Sequence, residues 1–156
     1  MVPGRRTARL LTPLERRGWR VLHDRAVPGS SIGLDHLVVG PAGVCAINSK
    51  AWIPGRDRLE LRGGTLWFGR DSQARLLEAV AWQADVVAVA LGVPVRAVVA
   101  VHGTKVPGGV VQLDEVTVLP VSMLRRHLRG LLPLQAMDDY RVQRLAERAE
   151  QVLPPR

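Results

Sequence analysis

At 156 residues the chain has the length of one domain and can bury a core without disulfide or metal staples. Its apolar fraction of 47% with 23% charged residues is ordinary for a globular protein, and Cys45 as the only cysteine excludes an intrachain disulfide or a cysteine-built zinc cluster, which fits a reducing cytoplasm. The net charge of +8 invites a polyanionic partner, although the 20 arginines and 2 lysines behind it also read as codon composition.

The opening Met1-Val2-Pro3-Gly4-Arg5-Arg6-Thr7 is basic and lacks the apolar stretch of a signal peptide. Thr7 to Arg17 reads as a helix with Leu10, Leu11 and Leu14 apolar, Gly18 as its stop and Pro13 as a local complication. Trp19 to His23 is a short strand before the turn-rich Pro28-Gly29-Ser30-Ser31. Leu34 to Val39 and Val44 to Ser49 are two strands joined by Gly40-Pro41-Ala42-Gly43, a strong hairpin signal. Arg58 to Arg62 and Thr65 to Phe68 form a second hairpin around Gly63-Gly64. Gln73 to Leu91 is the clearest helix: Leu76, Val80, Ala84, Val87 and Leu91 recur at three- and four-residue steps, and Gly92 ends it.

Residues 79–101 are the most lipid-like stretch, but Gln83, Asp85, Pro94 and Arg96 interrupt them. The longest uncharged run, Val86 to Val95, is half of the ~20 residues a membrane span needs, so no membrane partner is expected. Val93 to His102 reads as a buried strand and Val116 to Leu119 as another. Val121 to Leu128 is a short helix, and residues 137–153 hold a last one, capped by Asp138 or Asp139, with Leu145, Ala149 and Val152 inward. Helices at both ends and in the middle, with strands between, indicate an α/β layer arrangement.

The first hairpin carries the chemistry. With Pro41 and Ala42 as a two-residue turn, Asp35 lies opposite Asn48, and directly opposed residues project from one face. Alternation then places Asp35, Leu37 and Val39 on that face with Val44, Ala46, Asn48 and Lys50. A three-residue turn including Gly43 would slip the register by one. In the first register a carboxylate, a carboxamide and an ammonium gather at one end. Such a set suits phosphodiester hydrolysis: Mg²⁺ takes one or two carboxylates, a carbonyl, waters and the substrate phosphate. The metal lowers the pKa of the attacking water, and a lysine orients it or neutralises developing charge. In a chain so biased to arginine, Lys50 and Lys105 each read as placed for a reason, since an ammonium does not interchange with a guanidinium at a crowded site.

The run from Leu34-Asp35-His36 through Gly40-Pro41-Ala42-Gly43 to Asn48-Ser49-Lys50-Ala51-Trp52 resembles the core of the nuclease-related (NERD) domain, a family similar to the PD-(D/E)xK nucleases. Gly18-Trp19-Arg20-Val21-Leu22-His23-Asp24 upstream, Gly64-Thr65-Leu66-Trp67 downstream and a helix carrying Gln83 agree in order and spacing, so the resemblance spans roughly residues 5 to 130. It implies one domain over residues 1–156 with a restriction-endonuclease-like core, a central mixed β-sheet flanked by helices. It also implies a metal-dependent phosphodiesterase acting on DNA or RNA with Mg or Mn. Asp35 then matches the family's metal-ligand aspartate, Lys50 its catalytic lysine, and Gln83 a glutamine thought to bear on the site.

Two positions depart from that pattern. Asn48 stands where a second carboxylate is usual and would be the second metal ligand, with one negative charge fewer. Gly4 or Arg5 stands where the first helix usually carries a glutamate. The acidic site is thus degraded. The alternative to a nuclease is a catalytically inactive nucleic-acid-binding or protein-interaction module that needs no cofactor.

Plainer roles stand beside these. Asp35 and Lys50 fit a surface ion pair across a hairpin, and Gln83 a hydrogen-bonded core glutamine. His36 alternates away from Asp35 and reads as packed, Cys45 as a small core residue, Trp52 as rim packing, and Trp19, Trp67 and Trp82 as core. Ser30, Ser31 and Ser49 lack a Gly-x-Ser-x-Gly elbow, and no phosphate-loop fingerprint is present. Arg125, Arg126 and Arg129 form the best candidate phosphate-contacting patch, or a solvated helix face.

Overall fold

The computed structural model of the protein describes residues 3–53 and 55–156. In chain order it contains α1 (Pro3–Leu11), a 3₁₀ segment (Thr12–Arg17), β1 (Arg20–Arg25), β2 (Leu34–Gly40), β3 (Gly43–Ala51), β4 (Leu59–Arg62), β5 (Thr65–Phe68), β6 (Asp71–Ser72), α2 (Ala74–Leu91), β7 (Val95–His102), β8 (Val111–Leu113), β9 (Val116–Pro120), α3 (Leu124–Gly130) and α4 (Asp139–Val152). Six strands form one mixed sheet in the order β1-β2-β3-β7-β9-β8, and β4, β5 and β6 form a second, small antiparallel one. The β3–β7 and β7–β9 pairs are parallel and the other pairs antiparallel.

The central strands are apolar on both faces because both faces are covered. Leu37, Val39, Val44, Ala46 and Val99 face a core closed by α2 and α4, whose contributions include Val80, Val87, Leu145 and Ala149. Val38, Cys45, Ile47, Val98 and Ala100 face the opposite layer, closed by Leu11 and Leu14 on one side and Leu124 and Leu128 of α3 on the other. This is the restriction-endonuclease-like arrangement that the resemblance implies, with α1 and α3 over one face and α2 and α4 over the other. Cys45 is fully buried, and burial pushes its thiol up to about 12.

Local chemistry accounts for the ends of the elements. Gly92 closes α2 in the left-handed conformation and donates its N–H to Ala88 at 2.8 Å. Asp138 caps α4 by accepting the Arg141 N–H at 2.8 Å. At Gly40 a β-carbon would overlap the Trp19 ring, so only glycine lets that indole lie on β2.

The first helix differs from its expected span: it starts at Pro3 and gives way to 3₁₀ geometry at Thr12. Pro13 has no N–H to donate back to Arg9, and it disfavours α geometry at the residue before it. Trp82 is a second correction, since it is 47% exposed and rests against Gly29 rather than in the core. The buried stripe of α2 runs through Val80, Gln83, Ala84, Val87 and Leu91, and Trp82 lies off it. Among the described residues no helix is long and apolar enough to cross a membrane.

Candidate functional site

Gly40 pairs with Gly43, so Pro41 and Ala42 make the expected two-residue turn. The ladder runs on to His36 opposite Ile47, which brings Asp35 and Asn48 abreast as the next pair. Their side chains then diverge.

Asn48 turns toward α2. Its Oδ1 accepts the Asp35 backbone N–H at 3.3 Å, and its Nδ2 donates to Gln83 Oε1 at 2.7 Å. Gln83 Nε2 donates in turn to the carbonyls of Gly33 at 3.0 Å and Ile32 at 3.3 Å. One orientation of the two amides satisfies every group: the Asp35 N–H needs an oxygen at Asn48, and each later partner follows from that. Both side chains are buried, Asn48 at 7% exposure and Gln83 at 0%, so the pairing removes what would be orphaned polar atoms.

Asp35 turns the other way. One carboxylate oxygen accepts the Ser49 N–H at 2.8 Å, and the other accepts from Arg156 Nη2 at 3.4 Å. The same guanidinium sits 2.6 Å from Asp24 Oδ1. Its backbone is tied down as well: the Arg156 N–H donates to Asp24 O at 2.9 Å, and the Ala26 N–H to Pro154 O at 2.8 Å. Gly33 makes room for it, because a β-carbon there would overlap the Arg156 side chain. Two carboxylates thus share one guanidinium.

These groups line an open cavity of about 380 Å³, together with His23, His36, Ser49 and the start of α1 at Pro3, Gly4 and Arg5. A buried cluster anchors that helix end. Thr7 Oγ1 lies 2.6 Å from Ser49 Oγ, 3.0 Å from His102 Nε2 and 3.2 Å from the Pro3 carbonyl. A threonine hydroxyl has one proton, which goes to Pro3 O, so Ser49 and His102 donate to Thr7. Burial lowers the pKa of His102, followed by the charge of Arg6. Beside the cavity, His23 Nδ1 and His36 Nδ1 lie 2.9 Å apart.

Lys50 stands apart from Asp35. It is exposed, its Nζ lies 5.8 Å from the Trp52 ring centroid, and no ion pair joins it to Asp35 among the described residues. Trp52 is buried against Phe68. Arg125, Arg126 and Arg129 are exposed on α3. The structure therefore joins Asn48 to Gln83, leaves Asp35 with Ser49 and Arg156, and holds Lys50 at the rim. Arg156 and the Thr7–Ser49–His102 cluster were missed from the sequence, where Thr7 sits among Arg5, Arg6 and Arg9 and Ser49 between Asn48 and Lys50, so neither stands out as a buried polar group.

A divalent ion does not fit this donor set. Mg²⁺ or Mn²⁺ needs one or two free carboxylates and further oxygens. Asp35 and Asp24, the two carboxylates of the cavity, already share the Arg156 guanidinium, and the buried Asn48 carbonyl turns toward a backbone N–H. Gly4 and Arg5, neither of them acidic, line the cavity with Asp35. Among the described residues no group of three or more His, Cys, Asp or Glu is placed to hold a metal.

Comparison with protein families finds that the family model described as "Nuclease-related domain" matches residues 4–102, more than half of the chain. Comparisons with curated proteins and with solved structures gave no match.

Proposed function

Because the chain belongs to the nuclease-related domain (NERD) family, we propose that it engages DNA or RNA through a nuclease-type fold whose metal-dependent cleavage is weakened or lost. The observation that carries this reading is the fate of the second acidic position. Asn48 brings no negative charge, and both ends of its buried amide are already hydrogen-bonded; it is a strut between β2, β3 and α2. Around Asp35 the counter-charge is a guanidinium, supplied by Arg156.

In this reading Asp35 and Lys50 mark the former reaction centre, and Asn48 with Gln83 holds its walls in register. Arg5, which lines the same cavity and makes no ion pair among the described residues, then presents a cation that suits a phosphate oxygen rather than a metal ion. The net charge of +8 supports a polyanionic partner.

Fluorescence anisotropy with labelled duplex DNA and single-stranded RNA tests the binding. Affinity is expected to persist in EDTA and to fall on the order of 10²-fold between about 50 and 200 mM salt, as about four phosphate contacts would give. A complex that forms only with Mn²⁺, or none at all at low salt, contradicts the proposal.

A further inference from the structure

The charge of this chain is unevenly placed. Residues 3–17 hold five arginines and α3 holds Arg125, Arg126 and Arg129, against Glu15 as the one acid in both segments. The helices on the other face, α2 and α4, hold four arginines against five acids. Codon composition explains the choice of arginine over lysine, but it does not choose a face. All eight arginines of the first layer are exposed, and none makes an ion pair among the described residues.

We infer that the layer formed by α1, the 3₁₀ turn after it and α3 is the surface that receives the nucleic-acid backbone. This rests on the functional reading above and adds the face that binds. Leu11, Leu14, Leu124 and Leu128 turn fully inward, so the layer offers guanidiniums on a rigid, packed base rather than on loops. Guanidiniums pair with phosphate oxygens in a planar, bidentate geometry. The patch runs to the candidate site, because Arg5 lies on α1 and lines the cavity that holds Asp35. A lipid surface fits less well: among the described residues no large exposed apolar side chain lies on α1 or α3 to anchor it.

The test compares two charge-reversed proteins with the same change in net charge. One carries Arg5→Glu, Arg9→Glu, Arg125→Glu and Arg129→Glu; the other carries Arg75→Glu, Arg141→Glu, Arg144→Glu and Arg148→Glu on α2 and α4. Circular dichroism and thermal melts confirm that both fold, and single Arg→Gln variants replace either quadruple that does not. Affinity for labelled duplex DNA is then read against salt. The first protein is expected to lose about tenfold or more at 100 mM salt and to show a shallower salt slope, with the second within about threefold of wild type. Equal losses in both, or no loss in the first while wild type binds, overturn the surface but leave the functional reading standing. A wild type that binds no nucleic acid overturns both. Tighter binding to phosphatidylserine vesicles than to DNA, lost in the first protein, overturns the assigned partner.

Discussion

Asn48→Asp is expected to lower folding stability by about 2–3 kcal/mol at neutral pH and to restore no metal-dependent cleavage. The reason lies in the amide chain. The Asn48 NH₂ group donates to Gln83 Oε1 at 2.7 Å, and a carboxylate has no proton to put there. Flipping Gln83 does not help, because its oxygen would then face the carbonyls of Ile32 and Gly33, which now accept from Nε2. At least one buried pair of acceptors is left opposed in either arrangement. Protonating the introduced carboxyl would restore the donor, so folding should raise its pKa. The sign follows. A group whose pKa is raised by folding favours the folded state only while protonated, so the penalty is absent below the ordinary aspartate range, ~4, and grows above it. Urea titrations of wild type and variant across pH should show the difference shrinking toward acid; an equal or smaller penalty at neutral pH would mean that position 48 is not held by Gln83.

Acid should also destabilise the wild type through His36, by about 3 kcal/mol between pH 6.5 and about 4. His36 is 3% exposed, and burial first, then the neighbouring His23 charge, lowers its pKa from 6.5 to about 4. Its Nε2 has no partner, and its Nδ1 faces His23 Nδ1 at 2.9 Å. A buried N–H without a partner is costlier than a bare acceptor, so His36 keeps its proton on Nδ1 and donates it to His23. A second proton would land on the orphaned Nε2. Between pH 6.5 and about 4 the unfolded chain binds this proton and the folded one does not, so stability is full above that window and is lost as pH falls through it. His36→Gln should flatten the profile in the same range. A wild-type stability flat from pH 7 to 4.5 would contradict the buried, neutral assignment.

What was legible in the sequence were the features written in local chemistry. Gly40-Pro41-Ala42-Gly43 defined the turn, and the turn set the register that brings Asp35 abreast of Asn48. The apolar run of β7 and the stripe of α2 up to Gly92 were equally plain. Shared register did not mean a shared pocket, however. Asp35 begins its strand, where the carboxylate can swing to the Ser49 N–H, whereas Asn48 lies deep enough for α2 to claim its side chain. Alternation along a strand gives a face, not the partner a side chain takes at the strand's end. Arg156 was illegible for a different reason. It meets Asp35 across 121 residues of sequence, and no periodicity or motif links the two. The three-residue edge strand β8 and the 3₁₀ turn at Pro13 fall below what pattern alone resolves.

Supercoiled plasmid incubated with the wild-type protein and Mn²⁺, beside Asp35→Ala and Lys50→Ala, puts the loss of the ion site to the sharpest trial. Wild type should nick no faster than Asp35→Ala at any metal concentration while still retarding the plasmid on a gel. Rapid Mn²⁺-driven nicking that both substitutions abolish would mean that Asp35 releases Arg156 and takes up an ion after all, and the roles given to Asn48 and Gln83 would be wrong.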